Sequence, residues 1–362
     1  MNTWKNNLES TLIKQLHETE ALWHLALTGG GTSAIGELFA AAGASSTILD
    51  VQVPYHESAL QRFLKTSQSQ GCNTITARAM AVESFLRAKE LMPGKQVFGL
   101  GCTAAIATQR ERKGQDRCYL AVQGEKRTCS ADLIFDKSTT RETQETECRK
   151  AILYLMARES GIVMEEIDEL LTTTCEADLA WQDLLMGRST TTECPEDLTG
   201  LMPGAFNPLH DGHNQILRKA SELLDGPVAL EISIKNVDKP TLDYLTMQER
   251  AKQGDNLRLI FSNAPTFQEK AQAFPGVTFI VGIDTLVRIQ EPRYYENIEA
   301  RDDALKIIKN QNNRFLVFGR QINGAFQTLD DVKLVPGLRE LCTGVDENEF
   351  RADISSTELR SD

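Results

Sequence analysis

Gly204-Ala205-Phe206-Asn207-Pro208-Leu209-His210-Asp211-Gly212-His213 is the stretch that decides the fold of the second half of this chain. A short apolar run precedes it, and a helical pattern, QILRKASELL over 215–224, follows it. A glycine-punctuated turn from strand to helix is where an open α/β sheet presents its ligand crevice. Amide N–H groups at such a helix start can receive phosphate. Gly204 and Gly212 let the backbone approach a ligand closely, and His210 and His213, three apart, project from one face of the first turn. Two imidazoles placed there can donate hydrogen bonds to oxygens that gain negative charge. A zinc pair or two satisfied surface histidines are the plain alternatives, but no third ligand follows, and the other histidines (His17, His24, His56) all lie in the first half.

Outward from this turn the pattern runs VALEISI (228–234), a helix TMQERAKQGDNLRLIF (246–261), VTFIVGI (277–283), a helical stretch, and RFLVFGR (314–320). Strands separated by helices of this length make parallel βαβ units, so a Rossmann-like doubly wound parallel sheet is expected over 198–362. The first half alternates too: HLALTGGG, a helix from 33, STILDVQVP, a helix through 73–92, QVFGLGCTAA, CYLAVQ, SADLIFD and a long helix over 140–161. The order β-α-β-α-α-β-β-β-α fits an α/β layer domain over 1–165. Between the two, 166–197 is rich in Thr and acidic residues and reads as a linker with one short helix around Trp181. At 362 residues the chain is long for one core, which agrees with two α/β domains.

A net charge of -12 argues against nucleic acid polymers and acidic membranes as partners, since both need a basic footprint. The N-terminus lacks a signal-peptide pattern, and no stretch of about 18 apolar residues occurs, so a cytoplasmic protein is expected. The eight cysteines are scattered without a C-x-x-C pair and read as reduced thiols. A homo-oligomer is expected.

A second chemical element stands at the C-terminus: Ile354-Ser355-Ser356-Thr357-Glu358-Leu359-Arg360. Ser355 or Ser356 is a suitable N-cap, the first-turn hydroxyls and amides suit an anion, and Arg360 lies one turn further on. The first segment matches G-x-F-x-P-x-H-x-G-H, the signature of the nucleotidylyltransferase superfamily, at every fixed position. The second resembles that superfamily's I-S-S-T-x-x-R motif, which there grips the β- and γ-phosphates. Between them, Lys239 in NVDKP and Arg250 in LTMQER resemble the family's phosphate-contacting lysine and helix arginine. Val281-Gly282-Ile283-Asp284 resembles its G-x-D element, with Val281 replacing the usual first glycine.

The order of these elements is most similar to the nicotinamide or nicotinate mononucleotide adenylyltransferases. That resemblance implies attack by an acceptor phosphate on the α-phosphorus of ATP, with Mg²⁺ accompanying ATP as substrate. It implies catalytic roles for His210, His213, Lys239 and Arg360. Nucleotide contacts would come from Gly204, Phe206, Asn207, Gly212, Asp284, Ile354, Ser355, Ser356 and Thr357, and substrate contacts from Arg250. Many relatives stack the pyridine ring on a tryptophan after the aspartate element; here Tyr294 and Tyr295 stand nearby and no tryptophan follows Trp181. A cytidylyltransferase, another adenylyltransferase, or a nucleotide sensor without turnover remain the alternatives.

The N-terminal region resembles the C-terminal domain of the CinA family, which includes nicotinamide mononucleotide deamidases. The resemblance rests on Thr28-Gly29-Gly30 after a strand, Gly43-Ala44-Ser45-Ser46, Tyr55, TARAMA at 76–81 and the helix with Arg141 and Arg149. The candidate site there is Thr28, Gly29, Gly30, Ser45, Ser46 and Tyr55: a glycine loop to hold an anion, and a serine beside a tyrosine as nucleophile and proton acceptor. Two departures stand out. The deamidases continue Y-S-N-x-x-K, but Tyr55 is followed by His56-Glu57-Ser58-Ala59-Leu60, and the T-G-I-A-G-P-x-G-G loop is replaced over 103–114. Deamidation therefore competes with a degenerate ligand-binding or oligomerisation domain.

Overall fold

The run Leu22–Thr28 (β1) is buried from Trp23 onward, as a strand covered on both faces must be. With Ile48–Gln52 (β2), Val97–Ala105 (β3), Asp116–Gln123 (β4), Arg127–Phe135 (β5) and Leu171–Glu176 (β6) it forms a six-stranded sheet ordered β2-β1-β3-β4-β5-β6. The first three strands are parallel and the last three pair antiparallel. The structure is a computed structural model that describes residues 3–109, 113–165, 170–193, 196–254, 257–322 and 325–351. The chain divides into two units, Met1–Asp178 with Asp238–Thr246, and Leu179–Val237 with Met247–Asp362.

Two expectations about boundaries change. Part of the expected linker is an edge strand: β6, LTTTCE, is exposed at five of its six positions, so it carries too little apolar signal to read as a strand, although its threonines favour one. The short helix around Trp181 is present as Leu179–Met186. The second correction is that Asp238–Thr246, placed by sequence order in the second domain, belongs to the first unit. Tyr244 is fully buried there, donating its N–H to Thr128 Oγ1 (3.0 Å) and its hydroxyl to the Glu125 carbonyl (2.7 Å). Buried Asp243 and Arg78 form an ion pair at 3.4 Å.

In the second unit, Gly200–Pro203 (β7), Val228–Ser233 (β8), Leu259–Ser262 (β9), Thr278–Gly282 (β10) and Arg314–Phe318 (β11) are followed by a small hairpin, Arg320–Ile322 (β12) with Ala325–Gln327 (β13), and then Cys342–Val345 (β14). The sheet is ordered β14-β11-β10-β7-β8-β9 with every pairing parallel, the doubly wound topology expected. The helix expected over 246–261 ends at Gln253, and LIFS becomes β9; Gly254 follows the helix and costs it continuation, while the apolar run beyond suits a buried strand. Phe267, Phe279 and Phe315 meet at centroid distances of 5.4–5.7 Å in this unit's core.

Among the described residues no helix is long and apolar enough to cross a membrane. Cys72, Cys102, Cys118, Cys129, Cys148, Cys175 and Cys342 are free thiols.

Close helix–strand packing dominates the first unit. The helix Thr74–Leu91 lies directly on β3, where a Cβ at Gly99 would sit 2.1 Å from Phe85 N and one at Gly101 would sit 2.2 Å from the Ala77 carbonyl oxygen. Those contacts are with backbone, which cannot swing aside. Gly99→Ala is expected to destabilise by about 1–3 kcal/mol or more, whereas Gly36→Ala, in the helix Ser33–Ala40 with nothing within 4 Å, should leave stability equal or raised. Urea midpoints of the two variants check this; equal midpoints would contradict the packing.

Candidate active site

Parallel strands of a doubly wound sheet leave a crevice where the winding reverses. Here the reversal lies at β7, whose neighbours are β8 on one side and β10 on the other. The quoted motif fills the turn after β7. Gly204 N–H donates to the Glu231 carbonyl (2.9 Å), so the loop leaves the sheet at a fixed point. The following Phe206 takes a left-handed backbone (φ 42°) and is buried. Its ring packs against Gly204, where a Cβ would come within 2.6 Å of it, so that position must lack a side chain.

The helix Asp211–Leu224 then begins with His210 as its N-cap. The His210 and His213 rings stack at 3.7 Å between centroids, and Phe206 meets His213 edge-on at 5.1 Å. His210 N–H donates to His213 Nδ1 at 3.2 Å. An Nδ1 that accepts leaves the proton of the neutral ring on Nε2, so His213 carries one N–H donor on the side away from its own helix cap. Burial first, then the neighbouring His210 and Arg320, push the His213 pKa down to about 4. Burial and Arg320 also lower His210, outweighing the opposite pull of Asp211. Both rings are thus neutral hydrogen-bond donors near pH 7.

The expected residues gather here in part. Arg250 donates to Asn207 Oδ1 at 2.7 Å, joining two candidate positions, and Gly212 is buried in the first helical turn. Asp284 sits in the first turn of the helix Ile283–Ile289, directly after β10, and pairs with Arg320 (2.8 Å). Tyr294 and Tyr295 are engaged otherwise than in open stacking. The Tyr294 hydroxyl accepts from Arg288 (3.1 Å), the Arg293 guanidinium stands 4.9 Å from its ring centroid, and the Tyr295 hydroxyl donates to the Ile289 carbonyl (2.6 Å). Lys239 falls in the segment assigned to the first unit, so it is not among the residues that the second unit assembles. Ile354, Ser355, Ser356, Thr357 and Arg360 lie outside the described residues.

Sequence reasoning missed Gln253, which accepts from Leu209 N (2.9 Å), and Arg320. The spacing of Gln253 and Arg250, three apart on one helix, was the available signal for the first. Arg320 closes the run RFLVFGR, and a cation at the C-terminal end of a parallel strand was the signal there.

The first unit's candidate site changes more. Ser45 and Ser46 precede the start of β2 and are exposed, whereas Tyr55 follows its end and is 65% exposed. A five-residue strand of roughly 15 Å therefore separates them, and they do not form the nucleophile and acceptor pair expected of neighbours. Two amides just beyond the candidate glycines have a partner already: Glu145 accepts from Gly31 N (2.7 Å) and Ser33 N (3.0 Å). Burial raises the Glu145 carboxyl, but these amide hydrogen bonds outweigh it, and its pKa falls below the ordinary value. Gly29 packs against β3 so closely that a Cβ there would lie 1.8 Å from the Ala104 carbonyl oxygen, and the Thr28 hydroxyl donates to the Pro54 carbonyl (3.2 Å). Gly30 likewise approaches the Ala104 methyl closely.

The second unit is a doubly wound parallel α/β sheet with a histidine pair at its reversal point. Residues 201–362 match the family model described as cytidylyltransferase-like, and this region is a nucleotidyltransferase-like domain. The N-terminal region matches CinA superfamily structures over 42% of the chain. These include a competence-damaged protein (CinA) superfamily protein from Escherichia coli (18% identity, 42% of this chain and 87% of that one, TM-score 0.34). Others are a CinA superfamily protein from Klebsiella pneumoniae (10%, 42% and 96%, TM-score 0.37) and a competence/damage inducible protein from Agrobacterium tumefaciens (17%, 42% and 95%, TM-score 0.32). No curated protein matches the chain.

Unfolded histidine titrates near 6.5 and folded His213 near 4, so between these values the unfolded state binds more protons and stability falls as pH drops. The His213 ring, followed by NMR, is expected to stay neutral from about pH 8 to about pH 6 and to titrate near 4. A midpoint near 6.5 would contradict the buried, stacked geometry.

Proposed function

We propose that the second unit transfers the AMP moiety of ATP to a pyridine mononucleotide, nicotinamide or nicotinate mononucleotide, and releases pyrophosphate. The stacked His210–His213 pair at the reversal of the sheet carries this reading. In the reaction an oxygen of the acceptor phosphate forms a bond to the α-phosphorus, and the bond from that phosphorus to the bridging oxygen of the β-phosphate breaks. The electron pair leaves with pyrophosphate. In this reading the Nε2–H of His213 donates to a phosphate oxygen as it gains charge, and its neutrality near pH 7 keeps that donor free of a competing proton equilibrium. Catalysis by such a site is positioning and charge stabilisation, with no covalent protein intermediate.

Mg²⁺ would arrive with the triphosphate, coordinated by its phosphate oxygens. ATP and a pyridine mononucleotide are chosen because the order of the sequence elements resembles the mononucleotide adenylyltransferases. The cytidylyltransferase-like match supports a second reading, in which CTP is the donor. For the first unit, the hold of Glu145 on the Gly31 and Ser33 amides and the separation of Ser45 and Ser46 from Tyr55 favour a degenerate domain over a deamidase.

Pyrophosphate release with Mg²⁺ and ATP or CTP, against nicotinamide mononucleotide, nicotinate mononucleotide and phosphopantetheine, tests the proposal. We expect release with ATP and a pyridine mononucleotide, reduced about 10²–10³-fold in His213→Ala. Release only with CTP would establish the second reading, and binding of nucleotide without release from any pair would make the unit a sensor.

A further inference from the structure

β10 and β11 run parallel with Gly282 opposite Phe318. Two residues beyond each strand position stand Asp284 and Arg320, which this register brings side by side. Gly319 fixes the turn between β11 and the hairpin: a Cβ there would lie 2.6 Å from the Phe326 ring and 2.8 Å from the Gln327 carbonyl oxygen. The pairing of Arg320 with Gln327 across β12 and β13 then holds the arginine's backbone. Arg320 thus projects from a braced position at the C-terminal edge of the sheet, where β10 leads into the Asp284 helix beside β7 and its histidine loop.

We propose that Arg320 is a phosphate-binding residue of the nucleotide site, held by Asp284 while the site is empty and passed to a phosphate oxygen of the nucleoside triphosphate when it binds. The proposal rests on the nucleotidyl-transfer reading of this site. Its chemistry follows from the partners. The Arg320–Asp284 pair is a single contact from Nη1 to Oδ2, with the two side chains 37% and 45% exposed, so it is solvated and weak. A triphosphate offers several anionic oxygens in the fork geometry that a guanidinium binds in pairs, and it displaces a solvated carboxylate at small cost. The other candidate cation, Arg250, donates to Asn207 Oδ1 at 2.7 Å. The field of Arg320 reaches both histidines, lowering the proton affinity of each. Handover also releases the Asp284 carboxylate for the bound nucleotide.

Calorimetric binding of inorganic tripolyphosphate and of ATP to the full chain tests this, using wild type, Arg320→Gln and Asp284→Asn. Tripolyphosphate has no ribose or base, so it reports on phosphate contacts alone. Arg320→Gln should weaken both ligands about tenfold or more, while Asp284→Asn, which removes the competitor, should tighten tripolyphosphate. A purely structural clasp predicts that the two variants weaken it alike, and that result overturns the proposal. So does unchanged affinity in Arg320→Gln when wild type binds. Wild type that binds neither ligand overturns the nucleotide-site reading itself and this proposal with it. As a check that Arg320→Gln keeps its fold, its urea midpoint should match that of wild type.

Discussion

β7 is the strand on which the second unit turns, because it alone separates β8 and β9 from β10, β11 and β14. Both flanks are tight at its start: a Cβ at Gly200 would lie 2.7 Å from Leu224, 2.8 Å from Val228 and 3.1 Å from Ile280. Glycine there lets the helix after β7 and both neighbouring strands close on the same point. The pairing of β10 with β7 through Thr278–Gly200 and Phe279–Leu201 then sets where each strand ends relative to its neighbours. From that register follow the exit of the histidine loop, the placement of Asp284 and the position of Arg320. The crevice is therefore a result of winding order, and these few side chains emerge at its rim.

Electrostatics inside that rim are arranged around neutral imidazoles. Stacking His210 on His213 at 3.7 Å makes simultaneous protonation costly, and burial disfavours even a single charge. Positive charge is kept at the edges instead, on Arg250 and Arg320, each held by a polar partner. Behind the loop lies a pair of another kind: Lys270 donates to both oxygens of Glu231 at 2.7 Å and to the Ala264 carbonyl at 2.8 Å, with Ser262 also donating to the carboxylate. Glu231 is fully buried and Lys270 nearly so. Such pairs add little net stability but are costly to break singly, which ties β8, the end of β9 and the helix Phe267–Ala273 into one arrangement. The carbonyl of that same Glu231 receives the amide of Gly204.

The sequence displayed the alternation of both units because buried parallel strands such as LWHLALT and TFIVG are continuous apolar runs bounded by glycine and helix signals. The histidine motif was legible because it is local: small residues and imidazoles at fixed spacing between a strand and a helix. What escaped notice was either too exposed or too distant in sequence. β6 is a threonine-rich edge strand with one buried position, and β9 was hidden at the end of an apolar helical pattern. Glu145 receives the Gly31 and Ser33 amides from more than a hundred residues away, so no local spacing announces it. Asp284 and Arg320, 36 residues apart, meet only through the register of two parallel strands.

The most direct test of the account follows the atoms themselves, by phosphorus NMR of the purified protein with Mg²⁺, ATP and a pyridine mononucleotide. Transfer of AMP predicts equal growth of pyrophosphate and of a diphosphate diester joining the two nucleotides, with the ATP signals falling in step. Appearance of ADP and inorganic phosphate instead, or ATP consumed without a diester, would contradict attack at the α-phosphorus and with it the role assigned to the histidine pair.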